Sequence, residues 1–305
     1  MTQDVQPRPD MIGGVPTPPL AILPQPERLF AARADRFAFL AETSKLGPYL
    51  RFLAELSRVQ DRMCRSLPAP AALPADRIAL ARSSRMPPID RHALIDDPNL
   101  TTTLEQFCRE ADGIDMPAPA RLALQALTAA TNDDRRWLVG NVLDDAVPAD
   151  SAAPHLFVAA AIQVHLGRMA AALDAGQLVA IRTGVCPSCG GKPVSSVVIG
   201  IQGAEGTRYA VCNCCQTQWN EVRVKCLCCG STKGIGFRSL DDGSGEATIR
   251  AETCEECGCW VKQMLQTRNP SLDPVADDVA SMGLDALMQS EPWRRGGLNP
   301  FLIGY

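Results

Sequence analysis

The chain has 305 residues, 46% of them hydrophobic and 21% charged, with a net charge of −4. That is an ordinary globular composition, long enough for one to three domains and a sizeable core. The negative balance argues against a general nucleic-acid footprint, which would be basic, and no apolar run reaches the roughly 18 residues of a transmembrane span.

The opening stretch, MTQDVQPRPDMIGGVPTPP, has no basic start followed by an apolar segment, so it does not read as a secretory signal. The pairs Arg135-Arg136 and Arg294-Arg295 are interior and are no export signal. The expected location is the cytoplasm, without stable membrane insertion, where thiols stay reduced. Residues 1–25 are rich in Pro and Gly and read as a mobile arm or an extended strap.

Residues 26–180 read as a helical domain, because Ala and Leu dominate and apolar residues recur at helical spacing. Pro26 to Thr43 carries Leu29, Phe30, Phe37 and Leu40, and Leu46 to Leu67 carries Leu50, Leu53, Leu56 and Val59. A polar, Pro-containing connector is expected near residues 83–100. Thr102 and Glu105 resemble a capping box for a helix over 101–111. Pro119 to Ala130 follows, then a helix capped by Asn132 or Asp133. Ser151 to Leu173 is long and apolar, with Gly176 placed as a helix-ending glycine. His155 and His165 fall on different faces of that helix, so they are not expected to share a metal.

At Val185 the composition changes to Gly, Val, Thr and Cys. Four Cys-x-x-Cys pairs follow: Cys186/Cys189, Cys212/Cys215, Cys226/Cys229 and Cys254/Cys257. Such a pair in a tight turn can aim both sulfurs at one ion, and two pairs supply the four thiolates of a tetrahedral site. The segment repeats itself at intervals of 40 and 42 residues. Each copy runs from a cysteine pair through two β-like stretches around a Gly-containing turn to a second pair and a Trp. The strands are expected at Val194–Ile201 and Thr207–Val211, then at Ile235–Leu240 and Ala247–Ala251. The turns fall at Gly203–Gly206 and Asp241–Gly245. Two copies of one metal module are implied, over 181–222 and 223–265. The sequential grouping is favoured, because each hairpin brings its own two pairs together; the alternative is a cross-brace. A four-sulfur site suits zinc or a rubredoxin-type iron.

Glycine directly after Cys189, Cys229 and Cys257 permits the tight turn such pairs need, whereas Gln216 follows Cys215. Cys214 and Cys228 sit inside pairs and, with Cys259, read as fillers or bystanders, although pairing of Cys212 with Cys214 stays open. Cys64 and Cys108 read as core residues. A final helix is expected within 266–305, with Asp273 as its cap and Val275, Val279, Met282, Leu284 and Leu287 on its apolar face.

Several blocks resemble the bacterial formate dehydrogenase accessory proteins called FdhE. They are Ile22-Leu-Pro-Gln-Pro with Leu29-Phe30 and Arg33-Ala34, Tyr49-Leu50-Arg51-Phe52, and Cys186-Pro-Ser-Cys189 with Pro193-Val194-Ser195-Ser196. Arg208-Tyr209, Cys212 to Cys215, Trp219, Val222 to Cys226, Ser239 to Asp242, Ala251-Glu252, Val275 to Asp278 and Asn299-Pro300-Phe301 extend the likeness over nearly the whole chain. The resemblance implies an α+β chain: a helical N-terminal domain, two small rubredoxin-like, zinc-ribbon-like β modules and a C-terminal helix. It implies that the eight paired cysteines ligate two ions, iron being the metal the family favours and zinc the other possibility. It implies an assembly factor, not an enzyme, that contacts the catalytic subunit of respiratory formate dehydrogenase in the cytoplasm.

Two other readings stand beside it. A rubredoxin-like electron carrier would use the same sites. A zinc-ribbon nucleic-acid binder would need a basic surface, but residues 186–259 hold seven Lys/Arg against eight Asp/Glu. Two divalent ions in four thiolates each would take that segment to about −5. No Ser-His-Asp arrangement and no phosphate-binding glycine loop is present, and no enzymatic activity is predicted.

Overall fold

Proline at the first turn starts both opening helices, where its missing N–H costs nothing. They are α1 (Pro26–Ala41) and α2 (Gly47–Ser66), which pack along each other. The computed structural model describes residues 18–200, 205–240 and 246–302. The short strand β1 (Ala21–Ile22) precedes α1, and the rest of the expected arm, residues 1–17, lies outside the described residues. Then come α3 (Ala75–Ser83), α4 (Pro98–Asp112), α5 (Ala118–Ala129), α6 (Asn132–Leu143) and α7 (Ala152–Ala171). Helix α7 is apolar on nearly every side, and a helix of that kind belongs in the middle. Phe157, Val158, Ile162, Val164 and Leu166 are buried, and α1, α2, α4, α5 and α6 all touch it. Among the described residues no helix is long and apolar enough to cross a membrane.

Helix ends differ from the sequence expectation. The capping box does not form: α4 starts earlier, because the Asp97 carboxylate accepts the Asn99 N–H at 2.7 Å. The hydroxyls of Thr101, Thr102 and Thr103 instead bond back to the carbonyls of Asp97, Pro98 and Asn99. Thr131, one residue before the expected caps, holds the start of α6 by accepting the Asp134 N–H at 3.2 Å. Gly176 does not end α7. Ala172 closes that helix in right-handed conformation, and Gly176 belongs to the 3-10 turn Ala175–Gln177, fixed by Asp174.

The cysteine-rich half builds two antiparallel meanders. One is β2 (Pro193–Val198), β3 (Arg208–Cys212) and β4 (Gln218–Glu221); the other is β5 (Ile235–Arg238), β6 (Ile249–Cys254) and β7 (Cys259–Leu265). Each has one strand more than alternation predicts. The expected turns between them fall largely outside the described residues. Parallel pairing of β2 with β7 sets Ser196, Val197 and Val198 opposite Gln263, Met264 and Leu265. The result is a single sheet in the order β1-β4-β3-β2-β7-β6-β5, with β8 (Arg294–Arg295) beside β7. Every residue of β2 and β7 is buried, as parallel-paired central strands require.

The C-terminal helical segment divides at Ser281 into α8 (Ala276–Ala280) and α9 (Met282–Gln289). Its N-cap is Val275, without a side-chain cap bond; Asp273, the expected cap, stands two residues earlier and accepts the N–H groups of Val275 and Ala276 at 2.9 and 2.7 Å. Leu284 and Met288 cover Ala251 and Trp260 of the second meander. Beneath them lies a buried ion cluster. Lys262 Nζ donates to the Asp278 carbonyl at 2.7 Å and pairs with the carboxylates of Asp278 and Asp285, which Arg295 also bridges.

The two buried histidines of α7 have separate partners. His155 Nδ1 bonds the Ser151 carbonyl and its Nε2 meets Asn141, while His165 Nδ1 meets Thr103. Burial lowers both pKa values, against an opposing hydrogen bond for His155 and the opposing charge of Asp97 for His165. The unfolded chain therefore takes up these protons first as pH falls. Stability is intact above about pH 6.5 and declines below it, towards the folded-state pKa values. Thermal melts at pH 7.5 and 5.5 should show this loss, and His165→Gln should reduce the slope; an unchanged slope would remove His165 from the account.

Candidate metal centres

Each Cys-x-x-Cys pair makes a tight knuckle. In the first and third, Cys186 N–H and Cys226 N–H donate to the carbonyls of Gly191 and Ser231, at 3.0 and 2.8 Å. In the first, third and fourth, the glycine N–H returns to the leading cysteine carbonyl: Gly190 to Cys186, Gly230 to Cys226 and Gly258 to Cys254, at 2.9–3.0 Å. These glycines have φ of 77°, 81° and 64°, the left-handed region that L side chains avoid. Backbone N–H groups turn inward to sulfur, from Cys214 to Cys212 Sγ at 3.4 Å and from Cys228 to Cys226 Sγ at 3.3 Å.

The second knuckle shares the first of these bonds, Cys212 N–H to the Thr217 carbonyl at 3.0 Å, but departs at the glycine position. Gln216 takes φ 63° where its counterparts are glycine. Its buried amide supplies the reason: Oε1 accepts from Arg33 Nη2 of α1 at 2.7 Å, and Nε2 donates to the Asn213 carbonyl at 3.1 Å. Gln216→Gly should relieve about 1–2 kcal/mol of backbone strain. It should also strip an acceptor from the fully buried Arg33 guanidinium, worth about 1.5–3 kcal/mol. A net destabilisation of about 1 kcal/mol is expected in denaturant melts; a stabilised variant would show that the Arg33 contact counts for little.

The knuckles bring the eight sequence-predicted cysteines into two clusters, Cys186/Cys189/Cys212/Cys215 and Cys226/Cys229/Cys254/Cys257, with the sulfurs of each within 4.8 Å of one another. Cys186–Cys215 and Cys189–Cys212 sulfurs are 3.5 Å apart; Cys226–Cys257 and Cys229–Cys254 are 3.6 and 3.7 Å apart. A disulfide needs about 2.05 Å, and all these thiols are free. Four sulfurs about 2.3 Å from one central ion stand about 3.8 Å apart at the corners of a tetrahedron. The clusters are therefore near the size a tetrathiolate ion requires, and each could hold one metal ion.

Their surroundings differ. All four sulfurs of the first cluster belong to residues no more than 1% exposed. Ser188 and Thr217 hydroxyls form a chain to Cys215. Arg91 approaches from the helical half, held bidentate by Asp145 at 3.0 and 3.2 Å, and Asn213 of the second knuckle donates to the same carboxylate at 2.7 Å. Burial opposes the Arg91 charge, but Cys214, Asp145 and Cys189 outweigh it and hold the guanidinium firmly protonated. Hydrogen bonds from Cys186, Cys212 and Cys215 hold the Cys189 thiol well below the usual thiol range. In the second cluster Cys226 and Cys254 are buried, Cys257 is half-buried and Cys229 is exposed. A hydrogen bond from Cys228 brings Cys226 down to about 4.

Cys214 and Cys228 occupy matching positions, yet Cys214 is buried and Cys228 exposed. Cys259 is buried on β7 with Arg294 Nη2 at 3.6 Å from its sulfur. Cys108 is buried in the helical core and Cys64 packs at its edge. Sequence reasoning passed over Arg91 and Asp145, quoted Arg33 only within a family-like block, and noted Gln216 without giving it a partner. For Gln216 a signal existed, as the one knuckle lacking glycine.

A helical body carrying two four-cysteine knuckle pairs on one sheet defines a metal-module protein of α+β class. Family models described as FdhE, N-terminal, FdhE, central domain, and FdhE, C-terminal domain match residues 18–183, 185–223 and 224–302. The chain belongs to the FdhE family, the formate dehydrogenase accessory proteins. It is 52% identical to a Protein FdhE homolog of Rhizobium meliloti (strain 1021) over 301 residues, covering 99% of this chain and 98% of that one. It is 34% identical to Protein FdhE of Escherichia coli O9:H4 (strain HS), covering 94% and 91%. The crystal structure of the FdhE protein from Pseudomonas aeruginosa superimposes with a TM-score of 0.83 at 31% identity, covering 93% of this chain and 99% of that one.

Proposed function

We propose that this chain is a non-enzymatic assembly factor that binds the catalytic subunit of formate dehydrogenase in the cytoplasm and supports its maturation. Cys186, Cys189, Cys212 and Cys215 hold one ion, and Cys226, Cys229, Cys254 and Cys257 hold another. Iron is the favoured metal from family resemblance; zinc shares the preference for four thiolates. The observation that carries the reading is the pair of convergent thiol tetrahedra, fixed on one sheet, in a chain of this family. The units proposed are a helical domain over 26–180, modules over 181–222 and 223–265, and a C-terminal helical segment and tail over 266–305.

The test is affinity isolation of the tagged chain from its own cytoplasm without oxygen, with metal analysis of what is recovered. A formate dehydrogenase catalytic subunit should accompany the wild type and be lost when Cys226 and Cys229 become Ser. Recovery of a reductase or nucleic acid, with no dehydrogenase subunit while that enzyme is being made, would overturn the assembly role. The exposure of Cys229 favours one second reading, a rubredoxin-like electron carrier. That reading predicts reversible bleaching of an iron form and turnover with a reductase.

A further inference from the structure

We infer that the two cysteine sites have different jobs: the first is a permanent structural pin, and the second is an exchange site that releases and accepts its ion from an adjoining cleft. This rests on the metal reading proposed above and goes beyond it by assigning unequal lability.

The first cluster is sealed by the helical half. Its knuckle carbonyls serve as acceptors for distant groups: Ser188 O for Ile89 N–H at 3.1 Å, and Asn213 O for Gln163 Nε2 of α7 at 2.9 Å. Gln216 ties the same knuckle to Arg33 of α1. Ligand exchange at a four-thiolate ion requires an incoming donor to reach the ion while one metal–sulfur bond still holds it. Cys189 borders the same cleft as the second cluster, but it is only 1% exposed and its three partners no more than that, so an incoming donor reaches the first ion only once that cover is displaced.

The second cluster opens on a cleft of about 1510 Å³. Cys228 and Cys229 form part of its wall, with buried Cys189 and, on or just after α3, Arg77, Leu80 and Met86. Cys229 is exposed, and Cys228, which stands beside it, is exposed where its counterpart Cys214 is buried. The knuckle of Cys254 and Cys257 is held by the Glu255 N–H on Gly234 O and by Arg294 N–H on Gly258 O, both from the cysteine-rich half and its tail. An incoming soft donor, thiolate or imidazole, can therefore approach from the cleft beside Cys229. One metal–ligand bond forms as the Cys229–metal bond breaks. The ion keeps its oxidation state, and the freed thiolate takes a proton from water.

The test uses the full chain loaded with zinc alone. The ion count is measured first, and an excess of the chromogenic chelator 4-(2-pyridylazo)resorcinol is then added. Two ions should leave in two phases of one ion each, with rates at least tenfold apart. Alkylation at the end of the fast phase, located by mass spectrometry, should fall on Cys226, Cys229, Cys254 and Cys257 and spare the first four. Cys229→Ser should abolish the fast phase and leave the slow one; should that variant fold poorly, the alkylation order in the wild type decides. Two ions leaving in a single phase, or alkylation of the first cluster ahead of the second, would overturn the inference while leaving the metal reading intact. Fewer than two ions before chelator is added would defeat the metal reading itself, and this inference with it.

Discussion

Serine at Cys186 and Cys189 should destabilise the whole fold, lowering the melting temperature by roughly 10 °C or more at about 2–4 °C per kcal/mol. Structural zinc in small modules is worth roughly 10–16 kcal/mol, comparable with the ~5–15 kcal/mol that holds a whole domain together. Position decides how that loss spreads. The first cluster lies where Arg33 of α1, Gln163 of α7 and Arg91 with Asp145 all reach the sheet through its knuckles. Losing the proposed ion should free those knuckles and with them the seam between helices and strands. Serine at Cys229 and Cys257, in the partly exposed second cluster, should loosen the β5–β6–β7 meander and leave the seam standing. Circular dichroism melts and limited proteolysis separate the two outcomes. A Cys186/Cys189 variant that melts within a few degrees of wild type, with the seam still protected, would show that the first site is not the pin.

What could be read from sequence follows the range of the interactions concerned. A knuckle is made within five or six residues, so the eight cysteines and their two sequential clusters were legible from spacing. Helices α1 and α2 were legible because their apolar residues repeat locally and proline marks their starts. Strand β7 was not. Lys262 and Gln263 make its middle look polar, and they are buried only because Asp278, Asp285, Arg250 and Glu252 arrive from other elements. Strand β4, Gln218–Glu221, has a single large apolar side chain, and its place is set by β3 on one side and β1 on the other. Helix α3 has no apolar stripe; only Ala81 is buried and Leu80 points to solvent. The caps failed by a residue or a few, since Asp97 and Thr131 compete locally with neighbours of equal capping ability. The family-like blocks named Arg33, Arg208, Glu252, Asp277, Asp278 and Asn299 without assigning any a job. All six prove to be buried polar groups, tied to partners far away in the chain.

Arg208→Met should destabilise the protein by about 3–5 kcal/mol, the usual result of removing one member of a buried ion pair. Arg208 on β3 meets Glu252 on β6 at 2.9 Å, with side chains 0% and 3% exposed, so the pair spans from one meander to the other. The same guanidinium donates to Ser196 Oγ at 3.1 Å and to the Lys225 carbonyl at 2.8 Å, in the segment joining the meanders. Glu252 would keep only Gln263 at 3.5 Å and the charge of Arg250 nearby. Burial already raises its pKa above the ordinary carboxylate value, and Arg208 is the chief force opposing that rise. Without Arg208 the folded-state pKa climbs further. A raised carboxylate pKa means stability that is present at low pH and lost as pH rises through it. The deficit of Arg208→Met should therefore grow between pH 5 and pH 8. Adding Glu252→Met removes the stranded charge, so the double variant should recover a large part of the loss, with a clear coupling term in the double-mutant cycle. Denaturant melts of the four proteins at both pH values provide the measurement. A single variant that loses under 1 kcal/mol, or loses the same amount at both pH values, would mean that the two meanders are joined by β2–β7 pairing and packing, with the ion pair incidental.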